Sequence, residues 1–196
     1  MKSVYEKYMQ VFLEKNSRLN LISKNDEKFL WEKHVFDSLA IKHFFKLNLL
    51  PPKPLSLLDI GTGGGFPAVP AAIAYPEIEV FAVDSIRKKI NAIEEMKQEL
   101  GLKNLHPVCG RAESLQRKFD IVTARAVAPL KTLAEYAAPL LNPDGCLAAY
   151  KSVKVHEEIR EARSVLKKYN AKVIDIIEYE LPLNENHTRN LVVIRF

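Results

Sequence analysis

Residues 4–13 place Val4, Tyr5, Tyr8, Met9, Phe12 and Leu13 at helical spacing, with Glu6, Lys7, Gln10 and Glu14 between them or just after. That pattern predicts an amphipathic helix with one apolar stripe. Asn16 to Asn20 reads as a turn-like break. Asn25-Asp26 is suited to cap a second helix, whose apolar positions Phe29, Leu30, Phe36, Leu39, Ala40 and Phe44 recur at steps of three, four and seven. Pro51-Pro52-Lys53-Pro54 then ends all helix and stiffens a linker, because proline lacks the amide donor and its predecessor avoids the α region.

After the prolines the period changes. Leu55 to Ile60 is a short, nearly continuous apolar run, as expected of a parallel strand buried on both faces. A glycine-rich turn leads into a helical stretch from Phe66 to Tyr75, with Pro67 tolerated in its first turn. Ile78–Val83 reads as a strand, and Ile86–Leu100 as a helix closed by Gly101. Leu105–Cys109 and Phe119–Ala124 are strands, Leu130–Leu141 is a helix, and Asn142-Pro-Asp-Gly145 is a turn. Cys146–Tyr150 is a strand, Val155–Tyr169 a helix, and Lys172–Tyr179 and Leu191–Phe196 are two more strands. Strands alternating with helices predict an α/β fold with a parallel sheet covered on both faces. The last two strands have no helix between them, so they are expected to pair antiparallel. The result is a seven-stranded Rossmann-like domain over 55–196 with an N-terminal helical segment over 1–50.

Composition agrees with a globular chain. With 196 residues, 47% hydrophobic and 27% charged, it is long enough to bury a sizeable core. The longest uncharged run, Ile60 to Pro76, holds four glycines and three prolines and is too broken for a membrane span. Met1 to Glu6 has no apolar core of the signal-peptide kind. Two cysteines, Cys109 and Cys146, build neither a disulfide framework nor a four-ligand zinc site, and fit a reduced, cytoplasmic setting. The net charge of +5 is uneven: residues 1–54 carry ten Lys and Arg against six Asp and Glu, whereas 55–196 carry 19 against 18. A basic surplus suits a polyanionic partner, since cations meeting phosphates release condensed counterions. A solvated, lysine-rich helix face is the plainer alternative.

The sharpest local feature is Asp59-Ile-Gly61-Thr-Gly63-Gly-Gly65, set between a strand and a helix. The dinucleotide fingerprint G-x-G-x-x-G fails here, because Phe66 stands where its third glycine belongs. An acid beside such a loop suits a ligand with cationic groups better than a pyrophosphate, and S-adenosylmethionine carries an ammonium, a sulfonium and no phosphate. Asp84 ends the second strand 23 residues after Gly61, where an acid can hold both ribose hydroxyls. Glu113 follows the third strand, where an acid can accept from an adenine amino group. Singly, each of these has a bland reading as a turn, a helix cap or a surface acid. Together, at three successive strand ends, they point to a class I S-adenosylmethionine-dependent methyltransferase sheet.

The acceptor atom is narrowed by what is missing. Amino-group methylation commonly uses an Asn/Asp-Pro-Pro-aromatic turn after the fourth strand, and this chain has Thr123-Ala-Arg125-Ala126 there. Neither cysteine lies where a pyrimidine C5 nucleophile is needed. A ring nitrogen such as guanine N7 has a free lone pair and no proton to lose, so it requires no general base, and no catalytic residue is assigned. Arg125 sits at the mouth expected of the site, facing the cofactor or target, or else paired with a surface acid. His34 and Asp37 share one helix face, either closing over the cofactor pocket or packing the N-terminal segment. Arg87, Lys88 and Lys151 are placed to meet substrate phosphates, with solvated cations as the alternative.

Several segments are familiar. Asp59-Ile-Gly-Thr-Gly-Gly-Gly-Phe-Pro67, Val83-Asp-Ser-Ile-Arg-Lys-Lys89, Arg111-Ala-Glu113, Phe119 to Leu130, Arg189 to Ile194, Leu19-Asn-Leu-Ile22 and His34-Val-Phe-Asp-Ser-Leu39 resemble the ribosomal small-subunit methyltransferase G family, also called the glucose-inhibited division protein B family. The resemblance covers essentially the whole chain. It implies methylation of guanine N7 at one nucleotide of 16S ribosomal RNA, with the RNA or the small subunit as partner. It also implies that Gly61 and Phe66 line the methionine and ribose side of the cofactor. Asp84, Ser85 and Ile86 would surround ribose and adenine, Ala112 and Glu113 would meet the adenine, and Arg125 would border the donor pocket. Ala68 stands for a usual glycine, acceptable if its φ is negative, and Ala124 for a usual serine. A monomer is expected, with no metal and no membrane. The rivals are methylation of a small molecule or protein, an RNA-binding factor that keeps the fold without catalysis, and a dehydrogenase.

Overall fold

The computed structural model describes residues 2–51, 55–185 and 187–196. Of the proline linker, Pro51 is described, whereas Pro52, Lys53 and Pro54 lie outside the described residues. Seven strands, β1 (Ser56–Ile60), β2 (Glu79–Asp84), β3 (Leu105–Cys109), β4 (Phe119–Arg125), β5 (Leu141–Lys151), β6 (Lys172–Glu180) and β7 (Thr188–Arg195), form one sheet. Their order is β3-β2-β1-β4-β5-β7-β6. β1 to β5 pair in parallel, and β7 runs antiparallel to both β5 and β6. The chain starts at the centre with β1, works outward to β3, then returns to place β4 on the other side of β1. That reversal opens a crevice at the carboxyl ends of β1 and β4, where ligands bind in such sheets.

Strand residues alternate between two hydrophobic clusters, as the two-residue period requires. Leu57, Val80, Ala82 and Ile121 face a cluster under α4 (Ala68–Ala74) and α5 (Arg87–Leu100). Leu58, Val83, Val122 and Leu147 face the other, under α6 (Leu130–Ala137) and α7 (Val155–Lys168). The N-terminal helices join the first cluster: Tyr5, Tyr8 and Phe12 of α1 (Lys2–Leu19) are buried there with Phe66. Polar ties reinforce the contact, since Lys15 bridges Glu95 and Glu99 at 3.1 and 2.6 Å, and Lys7 Nζ donates to the Glu99 carbonyl.

Four expected boundaries are corrected. The break expected at Asn16–Asn20 begins only at Asn20, where φ is +50°, because α1 continues to Leu19. Asn16 folds its polar side chain inward, accepting from the Ile22 amide and donating to Glu27, so a turn-forming residue serves as a buried tether. The second helix is capped by Ser23 rather than Asn25-Asp26, and it breaks into α2 (Lys24–Glu27), a π-helix (Leu30–Phe36) and α3 (Ile41–Lys46). Asn142–Gly145 is not a turn before β5 but an excursion within it: Phe119 pairs with Leu141 and Ile121 with Cys146. The helix expected to reach Leu141 stops at Ala137 and tightens into a 3-10 turn, Ala138–Leu140, because Pro139 supplies no amide donor. Ala68 begins α4 without a positive φ, so the missing glycine leaves no strain.

Asn104 shows how the edge of the sheet opposite the crevice is held. Its buried amide nitrogen lies 3.0–3.1 Å from the carbonyls of Ala72, Tyr75 and Ile78, fixing the α4–β2 connection to the start of β3. Truncating it strands buried acceptors, at a cost of about 2 kcal/mol. Asn104→Ala is therefore expected to lower the urea midpoint with no change in the slope of the unfolding transition, measured by circular dichroism.

Candidate functional site

The carboxyl ends of β1, β2 and β3 border a cleft of about 340 Å³. Gly61, Asp84, Ser85, Ala112 and Glu113, all singled out from sequence, line it together. The loop after β1 takes its shape from backbone bonds: Thr62 N donates to Val83 O, and both Gly65 N and Phe66 N donate to Thr62 O. Glycine is required at Gly61, where φ is +64° and a Cβ would lie 2.9 Å from Val127 Cγ2. Gly65, at φ +95°, leaves no room either, since a Cβ would meet Val69 Cγ2 at 2.7 Å.

Asp84 organises this loop directly. One carboxylate oxygen accepts from Gly63 N at 3.0 Å and the other from Ile86 N at 2.9 Å. The cap reading and the ligand reading therefore coexist, because each oxygen keeps a lone pair. Glu113 sits exposed in a 3-10 turn (Ala112–Ser114) on the opposite wall. Ser85 is exposed, and Ile86, 48% exposed, stands at the edge as a bare apolar side chain. The residues fit S-adenosylmethionine on the chemistry they offer. Two carboxylates with spare acceptor sites match ribose hydroxyls and an amino group, and a glycine-walled backbone admits close approach.

Of the other expected cofactor contacts, Gly63, Gly65 and Ile86 adjoin the cleft without lining it, and Asp59, Phe66 and Arg125 lie elsewhere. Asp59 is fully buried beneath the loop; its Oδ1 accepts from Thr123 Oγ1 at 3.0 Å, and its Oδ2 has no hydrogen bond of standard geometry. Burial pushes its carboxyl up to about 7, against the pull of the Thr62 and Thr123 hydroxyls. Phe66 is buried among Phe12, Tyr8 and His34, with ring centroids 5.0–6.3 Å apart. Arg125 borders not the cleft but a second cavity of about 550 Å³, at the ends of β4 and β5.

Arg125 is the centre of that second region. Nη1 donates to Asp37 Oδ2 at 2.9 Å and to the Lys33 carbonyl at 3.1 Å, and Nη2 donates to His34 Nδ1 at 3.0 Å. Its guanidinium also lies 5.1 Å from the Phe66 ring centroid. Arginine only donates, so His34 Nδ1 must be the unprotonated nitrogen and the proton of the neutral ring sits on Nε2. Burial, with the Arg125 charge beside it, pushes His34 down to about 4. Asp37 receives a further bond from Tyr179 Oη at 2.6 Å. His34 and Asp37 thus combine both readings given to them: they pack the N-terminal segment, and they do so on a residue that lines the cavity.

Lys151 is neither solvated nor free. It is 8% exposed, paired with Glu158 at 2.6 Å and bonded to the Ala128 carbonyl. The same Glu158 oxygen accepts from Leu130 N and so caps α6. Arg87 and Lys88 are exposed at the start of α5, beside Asp84. Sequence reasoning missed Arg111 and Tyr136 in the cleft and Lys33, Tyr150 and Arg189 in the cavity. Arg111 adjoins the recognised Ala112-Glu113 pair and so had a signal; Tyr136 reaches the cleft from mid-helix, which no local pattern marks. Among the described residues, no cluster suits a metal ion and no helix is long and apolar enough to cross a membrane.

Comparison with known proteins places this geometry in context. An S-adenosylmethionine-dependent methyltransferase from Aquifex aeolicus superposes with a TM-score of 0.60 at 18% identity, covering 87% of this chain and 95% of that one. TYW2 of M. jannaschii, solved in complex with AdoMet, gives 0.58 at 17% identity over 79% and 74% of the two chains. The [4+2]-cyclase SpnF gives 0.62 at 13% identity over 80% and 79%, so the fold by itself does not set the reaction. Sequence is more specific. Ribosomal RNA small subunit methyltransferase G of Lactococcus lactis subsp. cremoris is 37% identical, covering 97% of this chain and 80% of that protein. Its counterpart in Staphylococcus epidermidis is 38% identical, covering 98% and 81%. A family model for rRNA small subunit methyltransferase G matches residues 1–192, and the chain belongs to that family.

Proposed function

We propose that this protein transfers a methyl group from S-adenosylmethionine to N7 of a guanine in the 16S RNA of the small ribosomal subunit. What supports the reading most is the family match over 1–192, and the site agrees with it. S-adenosylmethionine supplies a methyl carbon already activated by its sulfonium, so the chain's task is to bind, orient and exclude water. Asp84 and Glu113 hold the nucleoside end through acceptor oxygens, and the loop from Gly61 to Gly65 shapes the wall beside it. Guanine N7 attacks through its own lone pair. No proton has to leave that nitrogen, which agrees with a second cavity whose acids are committed to ion pairs: Asp26 with Lys33, Asp37 with Arg125, Glu158 with Lys151.

The same reading covers the chain's surroundings. It takes 1–50 as a helical segment completing a 55–196 catalytic domain, acting as a cytoplasmic monomer. The basic surplus of the first 54 residues contributes to the surface that meets RNA phosphates. Lys24, Lys28, Lys42 and Lys46 are exposed, whereas Lys15 is buried between Glu95 and Glu99 and takes no part.

Three measurements test this reading. Small-subunit RNA from deletion and parent strains, mapped for N7-methylguanosine by reduction and strand scission, should differ at one position; identical maps would sink the function. Asp84→Ala should weaken S-adenosylmethionine binding in calorimetry by roughly 30-fold, about 2 kcal/mol, because charge-assisted contacts are lost and Gly63 N is released. An unchanged affinity would refute the cleft assignment. Replacing Lys28 and Lys42 by Gln should weaken RNA binding and reduce the slope of log K against log salt by about one unit per lost contact. An unchanged slope would leave those lysines as a solvated face.

A further inference from the structure

The second cavity contains one cation that is over-determined and yet not fully used. Arg125 has five N–H donors. Three are engaged, by Asp37, the Lys33 carbonyl and His34 Nδ1. All three partners come from the π-helix or the residue that follows it, Asp37. One face of the guanidinium lies against Phe66. Two N–H donors remain without a partner among the described residues, on a side chain that lines the 550 Å³ cavity. The next residues, Ala126 and Val127, run from this cavity to the cofactor cleft, where Val127 covers Gly61.

Asp37 and the residue after it are themselves held by side chains of β6 and β5. Tyr179 of β6 donates to Asp37 Oδ1 at 2.6 Å, and Tyr150 of β5 donates to the Ser38 carbonyl at 2.7 Å. Asp37 therefore accepts on both oxygens, from two strands separated by β5 and β7 in the sheet. A surface ion pair needs no such arrangement. The Asp37 side chain is 6% exposed and that of Arg125 15%, so the pair is fixed in one geometry rather than averaged over many. π-Helical winding, which recurs at functional sites, supplies the carbonyl and the imidazole at the spacing the guanidinium needs.

We propose that Asp37 and Tyr179 are positioning residues that act through Arg125, fixing its guanidinium so that its two free N–H donors meet a hydrogen-bond acceptor of the bound reactants where cleft and cavity adjoin. The N-terminal segment is then part of the reaction centre and not only an RNA-binding appendage. The acceptor has one chemistry, an oxygen or nitrogen lone pair, and two possible sources: the carboxylate of the methyl donor or the edge of the target base. The inference rests on the reading of the cleft and cavity given above.

A double-mutant cycle on the full chain tests it. Asp37→Asn, Tyr179→Phe and Arg125→Ala, singly and with each of the first two combined with the third, are compared for S-adenosylmethionine affinity by calorimetry and for kcat and KM on small-subunit RNA. Thermal melting identifies any variant that fails to fold. With Arg125 present, Asp37→Asn should lower kcat/KM or cofactor affinity about tenfold, and Tyr179→Phe about threefold. With Arg125→Ala, neither should produce a further loss, since residues acting as a unit are non-additive. A loss carried by cofactor affinity assigns the acceptor to the methyl donor, and a loss confined to kcat or to KM for RNA assigns it to the base. Losses that multiply in the Arg125→Ala background, or folded single variants that match wild type in both measurements, would overturn the proposal. A wild-type protein that binds the cofactor but methylates no small-subunit RNA would instead remove the RNA reading, and the cycle on cofactor affinity would still decide the role of Asp37 and Tyr179.

Discussion

A guanidinium that is mostly withdrawn from water must be paired and hydrogen-bonded, and in this protein that requirement organises the catalytic end of the sheet. Arg125 ends β4, next to the strand where the topology reverses. Its charge draws in Asp37, His34 and the Lys33 carbonyl, and so pulls the N-terminal segment across the strand ends. Asp37 in turn needs a second donor and finds Tyr179 on the edge strand β6. Removing one member would leave a buried charge or a buried acceptor unpaired, which is far more damaging than never having placed the group there. The N-terminal helices are thus tied in by apolar packing at Tyr8, Phe12 and Phe66 and by polar partners at Arg125.

The cleft and the cavity divide the chemistry by charge. The cleft offers carboxylates with spare lone pairs and a close-approaching backbone, which suits a ligand rich in hydroxyl and amino donors. The cavity is lined by Lys33, Arg125, Lys151 and Arg189 against Asp26, Asp37 and Glu158. Three of those cations are paired with the three acids, and Arg189 has no acidic partner among the described residues. A neutral His34, kept so by burial and by its cationic neighbour, adds no further charge near neutral pH.

Much of this was legible in the sequence, and the exceptions have physical causes. All seven strands were readable from short stretches rich in apolar residues between turn residues, although β5 runs to 11 residues and β6 carries Lys172, Asp175, Glu178 and Glu180; β3 falls at Leu105–Cys109 as expected. The strand-end acids Asp84 and Glu113 were readable because the loop and the strands fix their spacing. The second helix was misread because its apolar steps fit an α-helix, whereas tertiary partners for Lys33, His34 and Asp37 favour a π-helical turn. Asn16 has the propensity of a turn residue, but propensity ignores burial, and here its buried side chain tethers Ile22 and Glu27. Lys151 looked like a candidate phosphate contact, and only the fold brings Glu158, seven residues on, against it. Each of these positions carries a polar residue whose partner lies beyond the i+4 reach of local patterns, from six residues away for Asn16 to about ninety for the partners of Arg125.

The strap from Arg125 to Val127 joins the two halves of the site and carries its own signature. Ala126 has φ +56°, a conformation that L residues seldom adopt outside turns and functional sites. A glycine there would remove the strain but also the constraint, because a freer backbone would no longer fix the residues on either side. Arg125, on one side, is held by three hydrogen bonds; Val127, on the other, lies against Gly61 and stays 39% exposed. The strain at Ala126 is therefore sustained by well-made contacts before and after it. Ala126 thus links, through one strained residue, a guanidinium that lines the cavity to a side chain that lies against Gly61 of the cleft.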